Sequence, residues 1–445
     1  MKKIYLLLSI LSGLSISLNA QSAFTAGNIV VYKIGNGTTL SSAAFPVTLD
    51  EFKPNGDFVL SHPMPTAVSG SNKRIVESGS ATSDGLLTRS SDGQYLVVSG
   101  YDADPATASV ASTTSAATNR MVGIVDYNGN IDASTALSDA YSGNNFRGAI
   151  STNGTDIWTA GTASSGGGVH YTTKGSTTST VISGTTITNF RSVNIFNGQL
   201  YASSASGAFQ GISTIGSGTP KSGTNTVTLL NGFPTASGPS SYEFAMNTAG
   251  TIIYVADDRA TASGGGIQKW TLSSGTWLLA YTLNSGLTSG ARGITVDWSG
   301  TNPVIYATTA DATANKIVTA TDGGSSSSFT TLATAAANYI YRGIAFAPVV
   351  SNPVPVTLIK FNAALNNNTV QLQYLHDYFG PLMANNPNKP VFDFITSGDI
   401  TPTPANFDEV MQYLSDTRTF IENYHAHIET SKTAALDTPA ASAKN

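Results

Sequence analysis

The chain reads as an all-β protein, a six-bladed β-propeller with seven blades as the alternative. Three observations predict it. A short apolar strand led by Arg recurs, most clearly at Phe146-Arg147-Gly148, Phe190-Arg191-Ser192, Ala291-Arg292-Gly293 and Tyr341-Arg342-Gly343. Gly85 and Tyr242 open two divergent copies. The spacing is near-constant, with 51, 50 and 50 residues separating Arg191, Tyr242, Arg292 and Arg342. Charged residues make up only 11% of the chain, while Gly, Ser, Thr and Ala dominate, which suits many short strands joined by polar turns. A strand-built repeat of this length cannot bury both its faces alone, so successive units must stack.

Taken in order, residues 1–20 read as a secretion signal. Lys2 and Lys3 precede an apolar run from Ile4 to Leu14, and small residues lead to Ala20 before Gln21. That run is too short to span a bilayer and no later apolar run is longer, so the expectation is a secreted or cell-surface protein without a transmembrane segment. Residues 24–350 form the propeller. Asn28 to Ile34, Val47 to Phe52 and Asp57 to His62 resemble the second, third and fourth strands of a unit that lacks its inner strand. Tyr341 to Pro348 resembles an inner strand with no successor. One C-terminal and three N-terminal strands would therefore complete a blade and close the circle, leaving no open sheet ends around the ring.

The complete units divide into four strands each. In the fifth these are Gly293 to Trp298, Val304 to Thr309, Lys316 to Thr321 and Phe329 to Ala333. The fourth gives Phe244 to Asn247, Ile252 to Ala256, Gly266 to Leu272 and Trp277 to Leu283. Alternation at Ile294/Val296 and Phe244/Met246 turns one face into a core. Asp92-Gly93, Asn153-Gly154, Asn197-Gly198 and Ala249-Gly250 supply tight hairpin turns. An Ala/Ser/Thr stretch from Pro105 to Thr118 lengthens the first unit. Past the ring, residues 351–373 form a short β-rich segment with strands at Val356 to Phe361 and Thr369 to Gln373. Residues 374–432 form a helical tail. Thr403-Pro404 starts its helix, and Phe407, Val410, Met411, Leu414, Phe420, Ile421, Tyr424 and Ile428 line one face, a surface that could pack back or dock another chain. Residues 433–445 are expected to be disordered.

Two stretches carry a family likeness. Gly27-Asn28-Ile29-Val30-Val31-Tyr32, Leu49-Asp50-Glu51-Phe52 and Ser83-Asp84-Gly85-Leu86-Leu87-Thr88-Arg89 resemble exported bacterial propeller proteins of unassigned activity. Pro353-Val354-Pro355-Val356-Thr357-Leu358, with Phe361 and Asn366-Asn367-Asn368, resembles the segment before a type IX sorting domain in exported Bacteroidota proteins. The likeness covers most of residues 24–373 and implies an exported propeller. It implies no catalytic residues. After Gln373 the chain departs from that pattern, with a helical tail in place of the sandwich and sorting domain.

Function classes narrow by composition. The net charge of −5 forms no basic patch, so nucleic acid is not expected as a partner. The chain has no Cys, which excludes disulfides, thiolate catalysis and zinc–thiolate sites. Only His62 and His170 fall within the propeller, and no nucleophile elbow precedes a helix. His170 follows Gly166-Gly167-Gly168 and is expected to face solvent. His425 and His427 stand two apart on the tail helix and diverge.

What remains is a set of Arg and Asp residues that propeller geometry brings to one face. Arg147, Arg191, Arg292 and Arg342, with Tyr242, would ring the channel mouth and could hold a carboxylate, sulfate or uronate. The competing expectation is that each Arg pairs with a nearby carboxylate or caps carbonyls of the next blade. Asp102, Asp104, Asp257, Asp258 and Asp311 follow second strands onto the same face. Calcium is the one cofactor they could hold, against the plainer role of turn former or counter-ion. Tyr242, Tyr254, Trp158 and Trp270 could stack sugars or pack the core. The preferred function is a binding or scaffold propeller engaging a glycan, peptide or surface polymer. The alternative is a hydrolase or lyase, with acids from Asp102, Asp257 or Asp311 and with Arg292 or Arg342 orienting an anionic substrate.

Overall fold

A computed structural model describes residues 22–349, which belong to the first of two compact units, residues 1–350 and 351–445. The expected signal (1–20), β-rich segment (351–373), helical tail (374–432) and terminal segment (433–445) lie outside the described residues. Within them the chain is all-β. Its only helical turns are two short 3-10 segments at Val110–Ser112 and Thr261–Ser263.

The strands follow one another as antiparallel meanders. β1 (Ile29–Gly35), β2 (Ala44–Phe52) and β3 (Phe58–Pro63) make the first, and the three-residue β4 (Val76–Ser78) pairs with the start of β2. β5 (Leu87–Arg89), β6 (Tyr95–Tyr101), β7 (Arg120–Asp126) and β8 (Ile131–Leu137) make the next. Four separate four-stranded sheets come after it. They are β9 (Phe146–Ser151) to β12 (Thr180–Val181) through β10 (Asp156–Gly161) and β11 (Gly168–Thr173); then β13 (Ser192–Phe196), β14 (Gln199–Ser206), β15 (Phe209–Ile215) and β16 (Val227–Leu229). The third is β17 (Ser241–Met246), β18 (Ile252–Asp257), β19 (Gly266–Ser273) and β20 (Thr276–Leu283). The fourth is β21 (Ala291–Asp297), β22 (Val304–Thr309), β23 (Lys316–Thr321) and β24 (Thr330–Thr334).

The last strand, β25 (Tyr339–Phe346), returns to pair with β1, with Val31 opposite Ile344 and Gly35 opposite Tyr339. The expected meeting of the two chain ends is thus a hydrogen-bonded pairing. One feature was not legible in the sequence. β4 bridges β2 and β6 through the Val76–Tyr101 pair, so β25 and β1 to β8 form one nine-stranded sheet. Three residues of Val-Glu-Ser carry too little alternation to announce a strand.

The arrangement is propeller-like because the first strands of the meanders gather side by side. β5 lies against β25 and β9, β9 against β13, β13 against β17, β17 against β21, and β21 against β25. Apolar layers fill the spaces between neighbouring sheets. Val97, Val122, Phe146 and Ile157 pack together, as do Tyr254, Ile267, Ile294 and Ile305. Ile29, Val31, Tyr306, Ile317 and Ile344 form another such layer. Strands covered on both sides read as unbroken apolar runs such as Ile29-Val30-Val31-Tyr32, not as strict alternation. The lengthened first unit adds no strand set. Its excursion folds onto β2 through Ala44 N to Thr107 O and Ala106 N to Ala44 O, at 2.9 and 2.7 Å. Arg120 holds it there. Its buried guanidinium donates to the carbonyls of Thr113, Thr118 and Tyr141 at 2.7, 2.7 and 2.9 Å.

β25 makes a close backbone approach to the chain entering β5. Gly343 N donates to Gly85 O at 3.0 Å, and a Cβ on Gly343 would stand 2.0 Å from Leu87 N. That is backbone against backbone, with no flexible side chain to yield. Gly343→Ala should therefore lower stability by about 1–3 kcal/mol or more. Gly148→Ala, whose nearest contact is the Leu86 side chain at 3.3 Å, should cost less. Denaturant unfolding of both variants checks the difference, and equal midpoints would contradict the close approach.

Candidate functional site

The residues that lead the inner strands share a backbone irregularity. Gly148 pairs with Ala160 and Phe146 with Gly161, which leaves Arg147 unopposed. Arg292 is unopposed in the same way, between Ala291↔Thr309 and Gly293↔Thr308. Arg342 with Gly343 lies in the register shift between Ile344 and Tyr341, and Tyr242 with Glu243 in the one between Ser241 and Phe244. A bulge inserts an extra residue and re-aims its side chain. Here that happens near the start of four of the inner strands, β9, β17, β21 and β25.

Two of these arginines remain partly open to solvent. Arg191 and Arg292 both lie against the Tyr242 ring, their guanidinium carbons 4.3 and 5.6 Å from its centroid. Between them stands Asp258. Its Oδ2 accepts from Arg292 Nε at 3.2 Å and Nη2 at 3.0 Å, and its Oδ1 lies 3.8 Å from Arg191 Nη1. Arg191 Nη1 also donates to Ser240 Oγ at 2.5 Å, and Arg292 Nη1 to the Ala310 carbonyl at 3.3 Å. The side chains of Arg191, Arg292 and Asp258 are 21%, 14% and 17% exposed.

The other two arginines are buried. Arg147 donates to Ser83 Oγ, Asn189 Oδ1 and the Phe190 carbonyl at 3.2, 2.5 and 2.8 Å, so it caps the neighbouring sheet. Arg342 donates to the Gly79 carbonyl at 3.3 Å. Burial, with Arg292 adding like charge, pushes its guanidinium down to about 10. The sequence offered two expectations, four arginines ringing an open mouth or each one pairing with a nearby carboxylate or capping carbonyls of the next blade. The structure gives two solvent-reaching ones around Tyr242 and two structural ones.

Among the buried acids that the sequence reading did not single out are Glu243, Glu77 and Asp84. Glu243 Oε1 accepts from Leu87 N of β5 at 2.9 Å, and its Oε2 from Ile294 N of β21 at 3.0 Å. Ile344 N of β25 also contributes. One carboxylate therefore ties β17 to three other inner strands. Burial pushes Glu243 up to about 8 despite those donors. Its signal was an acid set inside the apolar run Tyr242-Glu243-Phe244-Ala245-Met246. Glu77 and Asp84 are fully buried and face each other's charge and that of Arg342. Burial raises both, with Asp84 the next cause for Glu77. Asp84 Oδ2 accepts from Tyr101 Oη at 2.8 Å and from Asn145 Nδ2 at 3.1 Å.

The acids expected to serve calcium or acid–base chemistry are dispersed among local partners. Arg74 takes Asp102 at 2.8 Å and Asp104 at 2.6 Å. Asp257 is buried and accepts from Arg259 Nη2 at 2.6 Å, Gln268 Nε2 at 3.0 Å and Ser240 N at 3.2 Å. Asp311 accepts from Thr288 and Thr309 hydroxyls at 3.0 and 2.6 Å. Among the described residues no three acid or histidine side chains gather as a metal-ligand set.

His170 corrects an expectation. It is buried, not solvent-facing, because β11 carries it inward against Tyr141, with ring centroids 4.8 Å apart. Its Nδ1 lies 2.9 Å from Ser179 Oγ, which donates to Asp139 Oδ1 at 3.0 Å. The order Asp–Ser–His puts the carboxylate on the hydroxyl, not behind the imidazole, so no acyl-transfer triad results. Trp158, Tyr254, Trp270 and Tyr242 are all buried, so the core role holds over sugar stacking.

No known protein family matches the sequence, and no curated protein matches it. Many solved structures are similar in fold at low identity. A Pseudomonas aeruginosa periplasmic gluconolactonase is 13% identical, with 68% of this chain and 82% of that chain covered at a TM-score of 0.41. A hypothetical selenium-binding protein from Sulfolobus tokodaii is 8% identical, covering 72% and 94% at 0.39. A functionally unknown protein from Desulfotomaculum acetoxidans is 12% identical, covering 72% and 90% at 0.38.

Glu243 generates two expectations. Glu243→Ala removes the acceptor of at least two buried backbone donors, and should cost about 1–3 kcal/mol for each. The second concerns pH. The folded value of about 8 lies above the ordinary 4.5, so folding takes up a proton. The stability this group contributes is full below about 4.5 and falls as pH rises towards 8. Glu77 and Asp84 act in the same sense, so the wild-type protein should lose thermal stability between pH 6 and pH 9. Glu243→Gln should flatten part of that slope. Parallel melting profiles for the two proteins would refute the assignment.

Proposed function

We propose that this is an exported six-bladed binding or scaffold propeller whose channel mouth engages an anionic glycan or surface polymer. Support for that blade count comes from dividing the nine-stranded sheet at β4. β25-β1-β2-β3 and β5-β6-β7-β8 are each complete four-stranded meanders, and the four separate sheets bring the number to six. Export rests on the Lys2-Lys3 and Ile4 to Leu14 pattern. Among the described residues no helix is long and apolar enough to cross a membrane.

The observation that carries the ligand class is the Arg191–Tyr242–Arg292 arrangement. Two guanidiniums converge on one aromatic ring with a single carboxylate between them, and all three charged groups reach solvent. Arg191 and Arg292 set two guanidiniums against the one carboxylate of Asp258, so a second carboxylate approaching them meets forked donors suited to it. The hydrolase or lyase reading has less support, since its acids Asp102, Asp257 and Asp311 are each engaged by neighbours and stand apart.

Titration calorimetry with trigalacturonate, and with maltotriose as neutral control, tests the reading. The charged sugar should bind and the neutral one should not. Arg191→Ala and Arg292→Ala should each weaken binding about tenfold or more, and added salt should weaken it further. Equal heats for both sugars, or arginine variants that bind like wild type, would overturn it.

A further inference from the structure

Two adjacent aspartates follow β18, and their surroundings differ sharply. Asp257 is locked. Its carboxylate accepts from two backbone N–H groups, those of Ser240 and Arg259, as well as from Gln268 and the Arg259 guanidinium. Asp258 has no such anchor. Among the described residues the only groups on its carboxylate are the guanidiniums of Arg292 and Arg191, contributed by strand starts 34 and 67 residues away in sequence. Ser240, itself tied to Asp257 through its N–H, holds Arg191 by the hydroxyl. The two arginines are therefore positioned by other parts of the fold: Ser240 for one, the Ala310 carbonyl for the other, and Tyr242 for both. Asp258 merely fills the space between them.

We propose that Asp258 is a built-in occupant of a carboxylate-binding site formed by Arg191, Arg292 and Ser240, and that a carboxylate-bearing ligand binds by displacing it. The inference rests on the anion-binding reading above and narrows it. The geometry selects a single planar carboxylate that spans two guanidiniums, one oxygen towards each. A neighbouring chain segment already supplying that group sets a competition. The ligand gains the two guanidiniums only to the extent that it outcompetes Asp258, so the resident aspartate attenuates affinity and disfavours small lone anions. A polymer presenting several carboxylates is favoured, because repeated rebinding compensates for weak individual contacts.

Asp258→Asn keeps the side-chain shape and removes the charge. In the full chain it should bind trigalacturonate about tenfold more tightly than wild type, in contrast to the weakening expected for Arg191→Ala. Asp258→Ala vacates the space, so sodium acetate at tens of millimolar should raise its melting temperature by about 1–3 °C relative to sodium chloride at equal ionic strength. Wild type should show no such difference. Asparagine and alanine variants that bind no tighter than wild type, or an acetate effect equal in wild type and Asp258→Ala, would overturn the displacement. Wild-type binding that still depends on Arg191 would then leave the broader anion reading standing. Absence of trigalacturonate binding to every form would remove both.

Discussion

Everything about this fold depends on satisfying backbone donors where inner strands crowd together. Strands that meet along their starts cannot all pair with one another, so some N–H groups face the centre without a sheet partner. Glu243 resolves this. A single carboxylate takes N–H groups from β5 and β21 and draws in β25, while its own strand supplies the fourth wall. The cost is a buried acid whose proton is held well above the usual carboxylate range. A side chain that joins four strands can be more consequential than any apolar contact, because its loss strands several donors at once.

The same crowding explains the arginine face. Four inner strands step aside where they approach their neighbours, and the register shifts at Arg147, Tyr242–Glu243, Arg292 and Arg342–Gly343 are that step. A residue set in a bulge is released from strict alternation and can point along the face instead of into a layer. Structure and candidate function therefore arise from one device. Where the released residue lies deep, as with Arg342 and Arg147, it caps carbonyls. Where it lies shallow, as with Arg292 in its bulge, it meets solvent, and Arg191, which stands just before β13 and outside any bulge, does so beside it.

A chain with so few charged residues concentrates them. Arg74 gathers Asp102 and Asp104, Arg259 takes Asp257, and Lys269 with Tyr281 saturates Asp322. Against this pattern of local neutralisation, Asp258 shared by two arginines is the exception. Among the described residues it is held by nothing but the groups it neutralises, which sets it apart from the other acid clusters.

The period of about 50 residues, the Arg-led strands and the unpaired strand sets at the two ends were enough to place β25 beside β1. Such features are local or simply periodic, and a linear chain displays them directly. Residue types also foretold the core: Trp158, Tyr254 and Trp270 are apolar enough that burial follows from their chemistry. The bridging strand β4, the depth of each arginine, the inward turn of His170 and the separation of Asp257 from Asp258 were decided only in three dimensions. Neighbouring aspartates are chemically identical in sequence. Which one receives backbone N–H groups and which one faces two guanidiniums depends on strands drawn from distant parts of the chain, and no spacing along it records that distance.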